Sequence, residues 1–356
     1  MKIEQIDKNF QLATPSNVSE GKAYYSLPCS AFPHYGVLYD EKIGFHRLDP
    51  LVAQKTSDGV NYLNKHTAGG RVRFSTDSTT FTLSVKYDEL TKMSHMALLG
   101  QSGFILLEEG EKERKVARIF PPSFNNDSGF SGTTVLQGKG MRNYILYFPL
   151  YNGVRELTIG LDENAKIGNG RSYRDEKPIL YYGSSITQGG CASRPDNSYQ
   201  ALISKWNNID FINLGFSGNG KAEPVMADYL GSIDCSIFVC DYDYNASTLT
   251  ELKERHYPLY ARYRELKPTT PILFISKPDF EYDAYSLKRE RVIRETYKKA
   301  KALGDENVYF LAGKTLYGKK DRENCSVDSC HPNDLGFYRM AEKIYKKLIS
   351  IDEKYR

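Results

Sequence analysis

The sequence predicts two units in tandem: an all-β sandwich (jelly-roll-like) over residues 1–174, then an α/β unit over 175–356 built as a three-layer, doubly wound parallel sheet. Three observations carry this reading. Apolar residues alternate with a period of two through the first half; the pattern changes to strand-then-helix after residue 178; and a stretch rich in Gly and charge, 162–177, lies between them as an expected linker. A chain of 356 residues is also long for one core.

In the first half, Phe81, Leu83, Val85 and Tyr87 alternate with Thr82, Ser84 and Lys86. Tyr144, Leu146 and Phe148 repeat the pattern, as do Leu157, Ile159 and Leu161. Arg71–Phe74, Phe104–Leu107 and Val116–Phe120 are shorter strand candidates. Turn chemistry separates them at Thr76-Asp77-Ser78, Glu109-Gly110, Asn125–Gly129 and Asn152-Gly153. Many short alternating strands with such punctuation predict a sandwich.

In the second half, the apolar runs Ile179–Tyr182, Ile209–Leu214, Ser236–Cys240, Ile272–Ser276 and Val308–Leu311 read as buried parallel strands. Helical spacing fills the gaps. Tyr199, Leu202, Ile203 and Trp206 form one stripe, with Asp196 to Ser198 as caps, and Val225, Met226, Tyr229, Leu230 and Ile233 form a second after Pro224. Leu259–Leu266, Ile293–Ala300 and Leu335–Leu348 supply three more, and the charge run Lys288–Lys301 reads as a solvated helix face.

Composition narrows the function. A net charge of +4, with Lys and Arg spread along the chain, argues against a dedicated nucleic-acid surface. No stretch is apolar enough to span a bilayer, and Met1–Gln5 has no apolar leader core, so the chain as written is expected in the cytoplasm; a secreted or periplasmic protein stripped of its leader would look the same. Six cysteines without a disulfide-like spacing favour a reducing compartment. Cys325, Cys330 and His331 match no common zinc spacing, so no metal is expected.

The chemistry lies just beyond the carboxyl ends of the strands. Ser184 and Ser185 follow the first, Gly215-Phe-Ser-Gly-Asn219-Gly220 the second, Asp241-Tyr242-Asp243-Tyr244-Asn245 the third, and Asp328-Ser-Cys-His331 the last. Strand ends on one edge of an open sheet converge on one crevice. A serine hydroxyl is a weak nucleophile that needs a base, histidine can serve as that base, and an aspartate three residues earlier can hold its ring. Backbone N–H groups of the serine and Gly215, with the Asn245 amide, are the expected cradle for a tetrahedral oxyanion. The glycines at 215, 218 and 220 do not fit a phosphate-binding fingerprint. Asp328 or His331 as a cap of the last helix, Asn245 as a turn residue, Arg194 in a surface ion pair and Tyr242 as a wall residue are the competing structural readings.

Taken together, Gly183-Ser-Ser-Ile-Thr187, Asn213-Leu-Gly215-Phe-Ser-Gly-Asn219, Asn245 and Asp328-Ser-Cys-His331 resemble the four blocks of the SGNH (GDSL-type) hydrolases. The resemblance implies a flavodoxin-like α/β domain and serine ester hydrolysis through an acyl-enzyme, without a cofactor. Residue by residue it implies Ser185 as nucleophile, His331 as base, Asp328 as orienting acid, and Ser185, Gly215 and Asn245 around the oxyanion. Ser184, Arg194, Asn219 and Tyr242 are the candidate substrate contacts. Ser184 stands where the family has an aspartate, which leaves either serine open as the attacking group. Tyr39, Phe45-His-Arg-Leu48, Ala68–Ser78 and Thr187–Pro195 are similar to a bacterial subgroup associated with carbohydrate esters. The implied substrate is a small-molecule or oligosaccharide ester, probed best as an acetyl group on sugar. Two rivals are a lipid esterase or thioesterase for longer acyl chains, and a carbohydrate-binding protein with a decayed site.

Overall fold

A computed structural model describes residues 16–111, 113–125, 128–278 and 283–356. Met1–Gln5 and the middle of the Asn125–Gly129 turn lie outside the described residues.

The first half is two antiparallel sheets face to face. One runs in the order Asn17–Ser19, Lys22–Leu27, Glu156–Asp162, Thr80–Lys86, Gly129–Val135. The other runs Ile167–Gly168, Arg71–Thr76, Arg142–Tyr147, Phe104–Glu109, Arg114–Phe120, with His34–Tyr35 also on Arg71–Thr76. Val72, Phe74, Phe81, Leu83, Phe104, Leu106, Tyr144, Leu146 and Ile159 fill the space between them. The Lys22–Leu27 and Gly129–Val135 strands were not among the sequence candidates. Gly129–Val135 has no period-two apolar alternation, with Phe130 and Val135 as its two large apolar residues, and so carries little strand signal.

The central strands of the second sheet are buried on both faces. Ile105, Leu107, Ile145 and Tyr147 point away from the sandwich and join a core with Ile179, Tyr181, Ile203 and Phe211 of the second half. The stretch 162–177 differs from a free linker. Ile167–Gly168 pairs with Arg71–Thr76, and the Tyr173 hydroxyl meets Arg71. Its conformation is set by packing that composition does not reveal.

The second half is a parallel sheet in the order Phe211–Gly215, Ile179–Gly183, Ile237–Asp241, Ile272–Ile275, Val308–Leu311. This 2-1-3-4-5 order reverses direction at the first strand, where ligands bind in such sheets. Alternate residues serve opposite faces: Ile179 and Tyr181 pack with Tyr199–Asn207 and Asp334–Ile351, and Leu180 and Tyr182 with Pro224–Ser232, Leu249–Leu266 and Ala284–Ala302. The third helix starts ten residues before its clearest apolar stripe. Thr248 caps it by accepting from the Glu251 N–H at 3.0 Å, and Pro258 sits inside it. Among the described residues all six cysteines are free thiols, and no helix is long and apolar enough to cross a membrane.

The Lys288–Lys301 run is not wholly solvated. Arg289 and Glu290 are buried, because the first turns of this helix lie over the loop after the third strand. The Arg289 guanidinium donates to the carbonyls of Asp243 and, at 2.7 Å, of Ala246.

Candidate active site

Ile179–Gly183 lies between its neighbours with Gly183 opposite both Gly215 and Asp241. Three loops therefore leave the sheet side by side. Ser184 ends the strand in extended conformation and caps the short helix Ser185–Gln188, its Oγ accepting from the Ile186 N–H at 3.2 Å. That hydroxyl is buried and committed to the backbone. Ser185 is on the first turn of the helix, and its Oγ lies 2.8 Å from His331 Nε2. Geometry thus separates the two serines.

His331 and Asp328 share one tight turn. Asp328 Oδ1 accepts from the backbone N–H of Cys330 at 3.0 Å and of His331 at 2.7 Å, while Oδ2 is 2.7 Å from His331 Nδ1. Ser329 takes the left-handed region at φ +64° to close the turn. A carboxylate only accepts, so Nδ1 carries the proton and Nε2 faces Ser185 with its lone pair. Burial alone would raise the Asp328 carboxyl; the bonds from His331 and Cys330 outweigh it and hold it at about 2. The last helix is capped by Asn333, which accepts from the Gly336 N–H at 3.0 Å, so neither Asp328 nor His331 is its cap.

Gly215 requires a correction. Its N–H donates to Asn213 Oδ1 at 2.9 Å and is not free for an oxyanion. The glycine is needed for space: a Cβ there would sit 2.2 Å from the Gln188 nitrogen and 2.5 Å from the Thr187 carbonyl carbon. Gly218 has the free geometry instead. It lies at φ +68° with open space before it, and its N–H makes no hydrogen bond among the described residues. The surrounding turn is held by the Phe216 carbonyl, which accepts from Asn219 N–H, Gly220 N–H and the Asn245 side-chain amide at 2.9, 3.0 and 2.8 Å. Asn245 keeps a second amide N–H.

Tyr242 is also corrected. It is 1% exposed and packs against Tyr182 and His256 in the core, because the residue after Asp241 turns under the sheet edge. Arg194 is held by its own loop, with Nη2 3.0 Å from Asp196 Oδ2 and 3.4 Å from Asn197 Oδ1, so the ion-pair reading stands there. Asn219 donates to the Ser217 carbonyl at 2.8 Å and packs directly on Gly59 of the first half.

Several residues that matter were given no role in the sequence. Asp241 accepts from the Thr187 hydroxyl, from Tyr199 Oη at 3.2 Å and from the Ser184 N–H, which pins the nucleophile helix to the third strand. Full burial, then the nearby Asp243 charge, push its carboxyl up to about 8 against those bonds. From the first half, Tyr151 donates to the Ser185 carbonyl at 3.0 Å. His66 Nδ1 meets Gln188 Nε2 at 3.1 Å, and burial followed by the Arg47 charge holds that imidazole at about 3, so it is neutral and accepts. Gln188 Oε1 in turn takes the Ser217 N–H at 2.9 Å. Arg47, 3% exposed, donates to the Gly215 carbonyl, to the Leu63 carbonyl at 2.7 Å and to the Asn213 carbonyl at 3.3 Å, with its guanidinium 4.5 Å from the Phe216 ring centre. The tracts around His66 and Tyr151 look like ordinary loop in the sequence; Phe45-His-Arg-Leu48, Thr187–Pro195 and the Asp241–Asn245 strand end carried a signal, though no role for Arg47, Gln188 or Asp241.

With a serine, an imidazole and a carboxylate in line at the strand ends, the family comparisons are decisive. The model of the GDSL-like lipase/acylhydrolase family matches residues 176–349, and that of the N-terminus of SGNH hydrolase-type esterases matches 24–167. The chain belongs to the SGNH/GDSL hydrolases. It is an ester hydrolase by family. A solved protein from Bacteroides ovatus described as a GDSL-like lipase is 27% identical, with a TM-score of 0.84 over 93% of this chain and 98% of its own. The salicylyl-acyltransferase SsfX3 of a tetracycline biosynthetic pathway shares the fold at 17% identity and TM-score 0.76, covering 95% and 100%. So does a family two carbohydrate esterase from Clostridium thermocellum, solved with cellohexaose, at 16% identity and TM-score 0.60, covering 81% and 94%. No curated protein matches this hydrolase.

Proposed function

We propose that this hydrolase removes short acyl groups, acetyl above all, from carbohydrate esters through an acyl-enzyme on Ser185. The observation that carries the chemistry is the hydrogen-bonded line from Ser185 Oγ through the His331 ring to Asp328, 2.8 Å and 2.7 Å. Ser185 Oγ attacks the ester carbonyl while His331 Nε2 takes its proton. Asp328 keeps Nδ1–H in place and stabilises the imidazolium. The carbonyl oxygen becomes an oxyanion; the Ser185 N–H, the Gly218 N–H in place of Gly215, and the remaining Asn245 amide N–H are its donors. One donor of this kind lowers the barrier by roughly 3 kcal/mol. His331 then protonates the departing alcohol, deprotonates a water and returns the serine. The carbohydrate part of the reading is supported by fold neighbours described as family two carbohydrate esterases and as an acetyl xylan esterase.

Ser185→Ala is expected to lower kcat on a chromogenic acetate ester by about 10⁴-fold or more with the fold intact. Ser184→Ala is expected to keep turnover and lose about 1 kcal/mol of stability, the worth of a helix cap. Wild-type turnover by Ser185→Ala would overturn the assignment. A substrate series from acetate to octanoate tests the acyl group, and a preference for octanoate would replace the sugar-acetate reading by that of a lipid esterase.

A further inference from the structure

We propose that His95, Cys191, Asp328 and His331 form a binding site for a thiophilic divalent cation, Zn²⁺ being the best match, and that filling it switches hydrolysis off. One ligand atom from each of the four lies within 4.8 Å of every other. The four come from three places in the chain: His95 precedes the Leu98–Ser102 helix of the first half, Cys191 follows the turn after Ser185–Gln188, and Asp328 and His331 share the turn before the last helix. Two imidazoles, a thiol and a carboxylate are the donor types of four-coordinate zinc. Bonds of about 2.0–2.3 Å place neighbouring donors about 3.3–3.8 Å apart in a tetrahedron, so the cluster needs to draw in by roughly 1 Å.

His95 is the part that moves: Asp328 is already held beside His331 by its own turn, and Cys191 is buried with its backbone set at φ +71°. The thiol already faces the His95 segment, donating to the His95 carbonyl at 3.6 Å, and the His95 and His331 ring centres are 5.7 Å apart. Ester hydrolysis needs neither His95 nor Cys191, so the mechanism leaves their convergence on His331 unexplained.

The switching half of the proposal rests on His331 being the base. Bound at Nε2, the cation takes the lone pair that accepts the Ser185 proton. Bound at Nδ1, it moves the ring proton from that nitrogen to Nε2, whose lone pair is then no longer open to the Ser185 proton. Either way the base is lost. The thiol proton passes to solvent on binding, and no oxidation or reduction is involved.

The test uses the full chain, stripped of metal, as wild type, His95→Ala and Cys191→Ser. Zn²⁺ is titrated against a chromogenic chelator, Co²⁺ spectra are recorded, and acetate-ester turnover is followed with Zn²⁺ and after EDTA. The expected wild type binds one Zn²⁺ per chain, shows a thiolate-to-cobalt charge-transfer band and loses turnover reversibly. Both variants should keep metal-free turnover and need at least about tenfold more Zn²⁺ for the same loss, and Cys191→Ser should lack the band. The proposal is overturned if wild type binds no Zn²⁺, or if the variants are inhibited at the wild-type concentration, which would mean capture by His331 alone. If wild type binds Zn²⁺ through Cys191 but hydrolyses no ester when metal-free, the site stands and the esterase reading falls, taking the switch with it.

Discussion

Both carboxylate oxygens of Asp328 are engaged within its own four-residue turn, and this sets the pH behaviour of the site. Its carboxyl, at about 2, lies below the ordinary aspartate value of about 3.9. A depressed acid supports the folded turn in full above the ordinary value, and that support is lost as pH falls from about 4 through 2. Above pH 4 the carboxylate does not titrate. The acid limb of kcat/KM for an acetate ester is therefore expected to show a single ionisation, a slope of one on a logarithmic plot. Asp328→Asn offers the ring a different partner and is expected to lower kcat about 10⁴-fold with little change in KM. A two-proton acid limb in the wild type, or near-normal kcat in the variant, would show that Asp328 does not hold the base.

At the scale of elements, the reactive loops are braced by residues far away in the chain. Arg47 lies in the first half yet donates to two carbonyls on the second strand of the parallel sheet, directly before the Phe216–Gly220 turn. It is a buried cation that makes no ion pair among the described residues, and burial lowers its guanidinium to about 9. Three carbonyls and the Phe216 ring take the place of a counter-ion. Arg47→Met is expected to release that turn and lower kcat about 10²-fold, the cost of a misplacement near 1 Å, while KM holds. Arg47→Lys should recover only part of it, since an ammonium cannot span the same fork of acceptors. Loss of KM alone would show that Arg47 binds substrate and does not position the loop. Arg289 braces the Asp243–Asn245 turn from the other side through the carbonyls of Asp243 and Ala246.

For the whole molecule, the two halves share one apolar core. Ile105, Leu107, Ile145, Tyr147, Leu150 and Tyr151 pack in the same cluster as Ile186, Ala192, Ile203 and Phe211. Fully burying each such side chain contributes about 1.5–3 kcal/mol, so the six together reach the order of 10 kcal/mol, comparable with the net stability of a whole domain. Arg71 reinforces the seam by pairing with Asp210 and lying 3.9 Å over the Phe211 ring. Residues 175–356 expressed alone are expected to aggregate or to lack cooperative melting, and co-expression with 1–174 should restore a soluble complex. A soluble, fully active 175–356 fragment would show that the first half is a dispensable module.

What the sequence determined by itself was periodic or local. Five apolar runs with helical stripes between them specify a parallel sheet, because fully buried strands need unbroken apolar residues. Asp328 and His331 were legible because three residues of chain suffice to close their turn. The tertiary structure alone decided which serine faces the base, since Ser184 and Ser185 differ only in which way a cap turns them. It also decided that Gly215 makes room while Gly218 leaves an N–H free, and that Tyr242 goes under the sheet. Arg47, His66 and Tyr151 reach the site across more than thirty residues of chain. Contacts of that kind are closed by packing, and no local pattern records them.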